Sequence, residues 1–398
     1  MTKKIAFVVQ RFGREVIGGA ENHALRLVEK LQNLKNLEIE VFTTTAKEYD
    51  SWKPYYPEGL DYLDSISIHR FNPIFKRSSV LFRLVNRPLV FLSSKILPKF
   101  SLKLSQLVER FWYILQGPYC PTLISDLKSR ESDFDHIVFF TYLYYLAYEG
   151  LKVFPNKAIL VPTAHDEPPF WLPSVGKTLL SAKTLVPNTK PELYLLQRRL
   201  KKRLENVAII GLGFEKAQCS LQPAQDDDEY ILYLGRINRS KNVHVLIDYF
   251  RAFKRSYPEF NRLKLVLAGG VSEGFALKSS EDVIYKGFVN DAEKVSLIAN
   301  SMAVVNPSHF ESLSMIVLEA LSLARPVLVD RTCDVLRYYS EELKTVEAYS
   351  SCEEFGVNLY QLLKTGYSQS DLDHSQRWVT QNYSWDSVLS KYRTLFEF

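Results

Sequence analysis

Short apolar runs, each closed by glycine, proline or a polar residue, constrain this chain more than any other feature. The second half carries YILYLG, LKLVLAGG, VIYKG, AVVNP and RPVLVD; the first carries KKIAFVV, LEIEVFTTT, HIVFFTY and KAILVPT. Runs this short and this apolar suit strands covered on both faces of a parallel sheet. Between them lie stretches of helical period. In AENHALRLVEKLQNL the apolar residues Ala24, Leu25, Leu27, Val28 and Leu31 share one face, and NVHVLIDYFRAFKRSY and AEKVSLIANS follow the same logic. Strand and helix in alternation predict α/β layers.

A chain of 398 residues is too long for one ordinary core, so two doubly wound domains are expected. The pattern breaks over residues 206–228, where AQCSLQPAQDDDE is polar, acidic and proline-containing, and this stretch is read as a linker. It separates an N-terminal domain, 1–205, from a C-terminal domain, 229–382. The final helix, 383–398 (YSWDSVLSKYRTLFEF), either closes the second domain or packs back on the first. Ligands in such sheets gather at the carboxyl ends of the strands, here in a cleft expected between the two domains.

Composition excludes several classes. With 46% hydrophobic and 24% charged residues the chain is neither disordered nor a membrane bundle. Its four cysteines (Cys120, Cys219, Cys333, Cys352) show no paired or metal-ligating spacing and read as free thiols of a reducing compartment. The start, MTKKIAFVVQRF, reads as a first strand and not as a signal peptide.

The chemistry concentrates in SHFESLSMIVLEALSLARP. Here Glu311 and Glu319 stand eight apart, one before a helix and one within it. Ser312 or Ser314 is placed to cap that helix, and the turn Ser312, Leu313, Ser314 is a candidate diphosphate site, since a helix start carries about half a positive charge. A carboxylate accepts two O–H donors, which suits sugar hydroxyls and a ribose diol. The plainer reading is that Glu311 caps the helix and Glu319 is a solvated surface residue. In YLGRINRSKNVHVLIDYF, Gly235, Arg236 and Lys241 follow a strand end, where two cations could neutralise a leaving diphosphate or simply line a solvated turn. His165, Asp166 and Glu167 follow another strand end in the first half. Gly18 and Gly19 precede a helix where backbone could approach a phosphate or an acceptor.

Together GRI…K…L, PS…E-x7-E-A…PV and YSWD, with QRFGREVIGGAENHA and PTAHDEPPF, resemble the retaining glycosyltransferases of family 4. That resemblance implies the GT-B fold, two Rossmann-like doubly wound domains facing across a cleft. It implies a nucleotide-sugar donor on the second domain, an acceptor on the first, and neither metal nor cofactor. Glu311 would hold donor sugar hydroxyls, Glu319 the ribose, and Arg236 and Lys241 the diphosphate. His165 occupies the position of the family's cleft histidine, which contacts the donor sugar. Gly19, Gly235 and the 312–314 turn would add donor contacts; Gly18, Asp166 and Glu167 would add acceptor contacts. The terminal helix would return to the first domain. Two features depart from the family: Ala324 stands where glycine is usual, and the charged stretch YYSEELKTVEAYS replaces a glycine-containing loop.

The expected function is transfer of a sugar from a UDP- or GDP-sugar to a glycan or lipid-linked acceptor in cell-surface polysaccharide or lipopolysaccharide synthesis. A non-catalytic scaffold subunit on the same fold, or a nucleotide-sugar epimerase, are the alternatives. The net charge of +5 is uneven: residues 70–110 hold nine Lys or Arg against the single acid Glu109. These cations interleave with Phe, Leu and Ile, and Pro88 and Pro98 are expected to break the stretch into short helices. Such composition predicts an anionic membrane surface as partner, no nucleic acid, and a cytoplasmic protein peripheral to the inner face of the membrane; the plainer reading is a core helix pair whose cations reach out to water.

Overall fold

The computed structural model describes residues 2–215, 229–272, 274–277 and 280–397. The chain divides into two compact units, Met1–Leu212 with Leu389–Phe398, and Gly213–Val388. Each is a largely parallel sheet flanked by helices, the α/β layering that the short apolar runs predict.

In the first unit the strands are β1 (Lys3–Val8), β2 (Leu37–Thr44), β3 (Gly59–Leu63), β4 (Ile66–Phe71), β5 (His136–Phe140), β6 (Ala158–Val161) and β7 (Thr184–Leu185). Its helices are α1 (Gly19–Leu31), α2 (Ser79–Phe91), α3 (Leu102–Gln116), α4 (Pro121–Ser129), α5 (Tyr145–Val153), α6 (Pro173–Ser181) and α7 (Lys190–Leu200). The sheet order is β3-β4-β2-β1-β5-β6-β7, with only the edge pair β3–β4 antiparallel. The chain winds outward from β1 and then crosses back to β5. The loops after these two neighbours therefore diverge and leave a crevice at the carboxyl end of the sheet. HIVFF and AILV became β5 and β6, buried at every position.

The second unit repeats the plan. Its strands are β8 (Tyr230–Leu234), β9 (Lys264–Ala268), β10 (Val283–Gly287), β11 (Ala303–Asn306), β12 (Val327–Asp330) and β13 (Val346–Tyr349), ordered β10-β9-β8-β11-β12-β13 and all parallel. Its helices are α8 (Val243–Ser256), α9 (Asp291–Asn300), α10 (Met315–Ser322), α11 (Asp334–Glu342), α12 (Cys352–Thr365), α13 (Gln369–Tyr383) and the start of α14 (Trp385–Phe396). Here the reversal of winding falls between β8 and β11. A core built on Ile231, Leu246, Phe250, Leu265 and Phe355 lies beneath it.

Two expectations change, and one departure is explained. The first part of the predicted linker is ordered chain: Ala208 N donates to Leu185 O and Ile210 N to Pro187 O, so this segment runs beside β7 and buries Ile210 and Leu212. Residues 216–228, with Cys219, lie outside the described residues. Pro88 does not break its helix; it sits inside α2, which continues through a π turn, Leu92–Ile96, and a short 3-10 turn, Leu97–Lys99, containing Pro98. A proline removes one backbone donor, and here the neighbouring α3 holds the helix, with Trp112 Nε1 donating to Asn86 Oδ1 at 2.7 Å. The charged stretch after Asp330 forms the last turns of α11 and the edge strand β13, so the sheet is completed there.

Cys120, Cys333 and Cys352 are free thiols, and among the described residues no helix is long and apolar enough to cross a membrane. Helix α14 begins within the second unit and contributes its last residues, from Leu389, to the first. There the Phe396 ring meets His136.

Ala324 closes α10 with φ +54°, and Arg325 N returns to Ala320 O at 2.9 Å. This left-handed conformation costs a side-chain-bearing residue about 1 kcal/mol that glycine does not lose. Ala324→Gly is expected to raise the urea-unfolding free energy of this unit by about 0.5–1 kcal/mol, reduced by glycine's greater unfolded-state freedom. A clear loss of stability would contradict this account of the cap.

Candidate functional site

The loops that follow β8 and β11 bring two of the predicted residues together. Lys241 Nζ lies 2.7 Å from Glu311 Oε1 and 3.2 Å from both Ser308 Oγ and Phe310 O. Each loop is shaped before it presents its residue. Asn238 Oδ1 accepts from Lys241 N at 2.8 Å, Asn242 Nδ2 donates to Pro307 O at 3.0 Å, and Asn306 Oδ1 accepts from Ser308 N at 3.0 Å. Two glycines make room for the first loop. Gly235 adopts φ +152°, and a Cβ on Gly269 would collide with the Gly235 carbonyl. The Lys241 and Glu311 side chains keep 33% and 18% of their surface. A ligand can therefore reach both.

Arg236 is exposed in the same loop, with its carbonyl accepting from Tyr233 Oη at 2.8 Å. Burial, and next the Glu311 carboxylate, push the Tyr233 phenol up, so it stays a neutral donor. Glu319 lies on α10, and its Oε1 meets Lys294 Nζ of α9 at 2.7 Å, both side chains 16% exposed. It is thus a half-buried, paired carboxylate and not a solvated one.

Ser314 stands at the start of α10 but does not cap it with its side chain. The helix starts at Met315, and Ser314, at φ +59°, makes no capping bond; its Oγ instead accepts from Asn306 Nδ2 at 2.7 Å. Asn306, buried at the end of β11, also reaches Glu311 Oε1 at 3.5 Å. It takes the serine hydroxyl away from the helix end and ties the turn to the sheet. Leu313 is buried, and its carbonyl accepts from Tyr339 Oη at 2.7 Å. The 312–314 turn is held from below, leaving backbone and not the Leu313 side chain as its means of contact.

In the first unit Gly18 immediately precedes α1 and Gly19 opens it. Nothing stands near a Cβ on Gly19, whereas one on Gly18 would collide with the Glu21 carboxylate. Glu21 is buried in a network with Gln10 Nε2 at 2.8 Å and Arg11 Nε at 3.0 Å, while Arg11 Nη1 donates to Lys47 O at 2.8 Å. Gly18 is therefore required by packing against this buried ion pair.

His165 follows β6, half-buried, and its carbonyl accepts from Glu167 N at 2.9 Å. The two carboxylates beside it are held apart. Asp166 Oδ1 accepts from Trp171 Nε1 at 2.7 Å and Oδ2 pairs with Arg198, whereas Glu167 Oε1 accepts from Tyr142 Oη at 2.9 Å. They are not arranged as one acid–base couple.

Several residues here escaped sequence reasoning: Asn306, Lys294, the Arg11–Glu21 pair, and above all Glu192. The spacing Thr189-x-x-Glu192 is a capping-box signature that could have found the last. Thr189 does cap α7, accepting from Glu192 N at 3.3 Å. The Glu192 carboxylate, however, accepts from Asn188 N and from Ala164 N, each at 2.6 Å. It thereby fixes the backbone just before His165. Complete burial pushes its pKa up to about 8, against the two backbone donors that lower it.

A depression of about 630 Å³ beside α7, lined by Tyr194, Gln197, Lys201, Lys202, Arg203 and others, includes none of these residues. At the strand ends, by contrast, cations and carboxylates converge where a winding reversal opens the sheet.

Comparison with known proteins gives the same direction. Residues 220–380 match the family described as Glycosyl transferases group 1. An uncharacterised glycosyltransferase of Methanocaldococcus jannaschii is 27% identical over 174 residues, covering 41% of this chain and 43% of the relative. The O-antigen chain mannosyltransferase C of Escherichia coli is 23% identical over 249 residues, covering 57% of this chain and 64% of the relative. The chain thus spans about half the length of these curated relatives. The solved structure of Anabaena HepE in complex with UDP and glucose superposes with a TM-score of 0.64 at 13% identity, covering 100% of both chains. The fold is GT-B.

Glu192 predicts a pH dependence. Its folded pKa, about 8, lies above the ordinary 4.5. The stabilisation of its neutral form is whole below about pH 4.5 and is lost as pH rises through about 8. Denaturant unfolding of the wild type should therefore weaken over this window, and Glu192→Gln should flatten the decline. Equal slopes in both proteins would contradict the assignment.

Proposed function

We propose that this chain is a retaining glycosyltransferase of family 4, moving a sugar from a UDP- or GDP-sugar to a glycan or lipid-linked acceptor in the synthesis of cell-surface polysaccharide or lipopolysaccharide. The observation that carries the reading is the Lys241–Glu311 contact at the point where the second sheet reverses its winding. A half-exposed pair is an exchangeable one. A diphosphate offers Lys241 more negative charge than one carboxylate, and sugar hydroxyls offer Glu311 donors in place of the ammonium.

In this scheme Lys241 and Arg236 take the diphosphate, Glu311 the sugar hydroxyls, and Glu319, steadied by Lys294, the ribose. Gly235, Ser312, Leu313, Ser314 and Gly19 supply further donor contacts. The bond from the anomeric carbon to the diphosphate oxygen breaks, and its electron pair leaves on that oxygen. The acceptor hydroxyl bonds to the same face of the carbon, and its proton passes to the departing oxygen. Charge on the leaving group is met by the two cations, so the scheme assigns no role to a metal or cofactor. The acceptor falls to the first unit, with His165, Asp166, Glu167 and Gly18 as its candidate residues. The mannosyltransferase relative and the UDP-bound neighbour support the donor class.

Lys241→Ala and Glu311→Ala are each expected to lower transfer from a nucleotide sugar by about 10²-fold or more, with circular dichroism and thermal midpoint unchanged. Near-normal turnover in either variant would refute its role. Epimerised donor formed without acceptor would replace the transferase reading with an epimerase.

A further inference from the structure

Helix α3 is amphipathic the wrong way round. Its inward positions hold Ser105, Glu109 and Gln116 beside Trp112 and Tyr113, all buried. Its outward positions hold Leu104, Leu107 and Phe111, with 46%, 63% and 53% of their surface exposed. These three recur at the spacing of one helical face, with Lys103 and Arg110 along its margin.

The inversion is fixed by the interior. Glu109 is fully buried, accepting from Ser105 Oγ at 2.8 Å and from Ser174 N at 2.5 Å, and Ser105 Oγ reaches Ser93 O at 2.9 Å. Turning α3 to hide its leucines would expel that carboxylate from its partners and bury Arg110, which burial without an acid opposes.

Helix α2, packed beside it, presents a matching stripe: Val80, Leu84 and Phe91 are 60%, 69% and 58% exposed, with Arg87 among them. Where the two helices join, Phe100 is 81% exposed between Lys95, Lys99 and Lys103. Apolar side chains thus project outward in one hairpin. The exposed cations around them are Arg87, Lys95, Lys99, Lys103 and Arg110, and the one acid in residues 79–116, Glu109, is inside.

We infer that this α2–α3 hairpin lies on the surface of an anionic lipid bilayer, with Leu104, Leu107, Phe111, Leu84, Phe91 and Phe100 entering the headgroup–acyl boundary and the cations meeting lipid phosphates. Charge decides between occupants. A second copy of the chain would set like charges against like across a self-complementary interface, whereas anionic lipid neutralises them. The hairpin lies on the membrane and does not span it, since neither helix is long and apolar enough. The inference stands on this surface alone and survives failure of the proposed transfer reaction.

The test is co-sedimentation of the full chain with vesicles of phosphatidylcholine, with and without about a third phosphatidylglycerol. Expected is binding to the anionic vesicles that falls about tenfold or more without phosphatidylglycerol or at high salt. The triple variant L104S/L107S/F111S, altered only at exposed positions, should lose vesicle binding while keeping its thermal midpoint. K95E/K99E/K103E should lose the preference for anionic lipid. Equal binding to both vesicle types, unchanged binding by the triple variant, or self-association abolished by that variant in a protein that ignores vesicles would each overturn the inference.

Discussion

A lysine ammonium 2.7 Å from a carboxylate that keeps 18% of its surface is the contact on which the proposed chemistry of the second unit turns. Such a pair contributes little to stability, about 0–1 kcal/mol, because water screens it and two long side chains lose freedom to form it. In the proposed reaction it holds two opposite charges at one place until the donor's diphosphate and hydroxyls replace that contact. The Arg11–Glu21 pair of the first unit is the contrasting case. Its side chains keep only 4% and 6% of their surface, and breaking it would strand a buried charge at a cost of about 3–5 kcal/mol. Both pairs follow a strand at a winding reversal, yet one is sealed from water and the other is open to it.

The topology gives the exchangeable pair its place. Because β8 and β11 are neighbours whose following loops diverge, Lys241 and Glu311 can meet although 70 residues separate them. The close approach of Gly269 to Gly235 and the Asn306 side chain hold those loops without occupying the site. The same sheet arrangement occurs in HepE at 13% identity. A fold shared so far down the identity scale does not by itself assign a ligand.

Sequence legibility followed the range of the interactions. Strands and their order of appearance were readable because a buried parallel strand writes itself as a local apolar run. Glu311, Lys241 and Arg236 could be picked out as candidates because each sits at a fixed offset from such a run. Lys294 and Asn306 were not, since their significance lies in partners 25 residues distant or in a hydroxyl taken from a helix end. Glu192 hid inside a familiar capping pattern while its carboxylate served another loop. Pro88 was read by its own propensity, and packing on α3 overrode it. In α3 composition pointed toward a membrane, but it is the burial of Glu109, Ser105 and Gln116 that shows which way the helix faces.

The central claim is that Lys241 serves the diphosphate and Glu311 serves the sugar. Calorimetric titration of the wild type, Lys241→Ala and Glu311→Gln with a bare nucleoside diphosphate and with the matching nucleotide sugar separates the two roles. The account predicts that Lys241→Ala weakens both ligands by about tenfold or more, a loss of about 1.4 kcal/mol or greater. Glu311→Gln should weaken the nucleotide sugar alone and leave the bare diphosphate bound as well as before or better, since a nearby negative charge has gone. Unchanged affinity for the nucleotide sugar in both variants would contradict it.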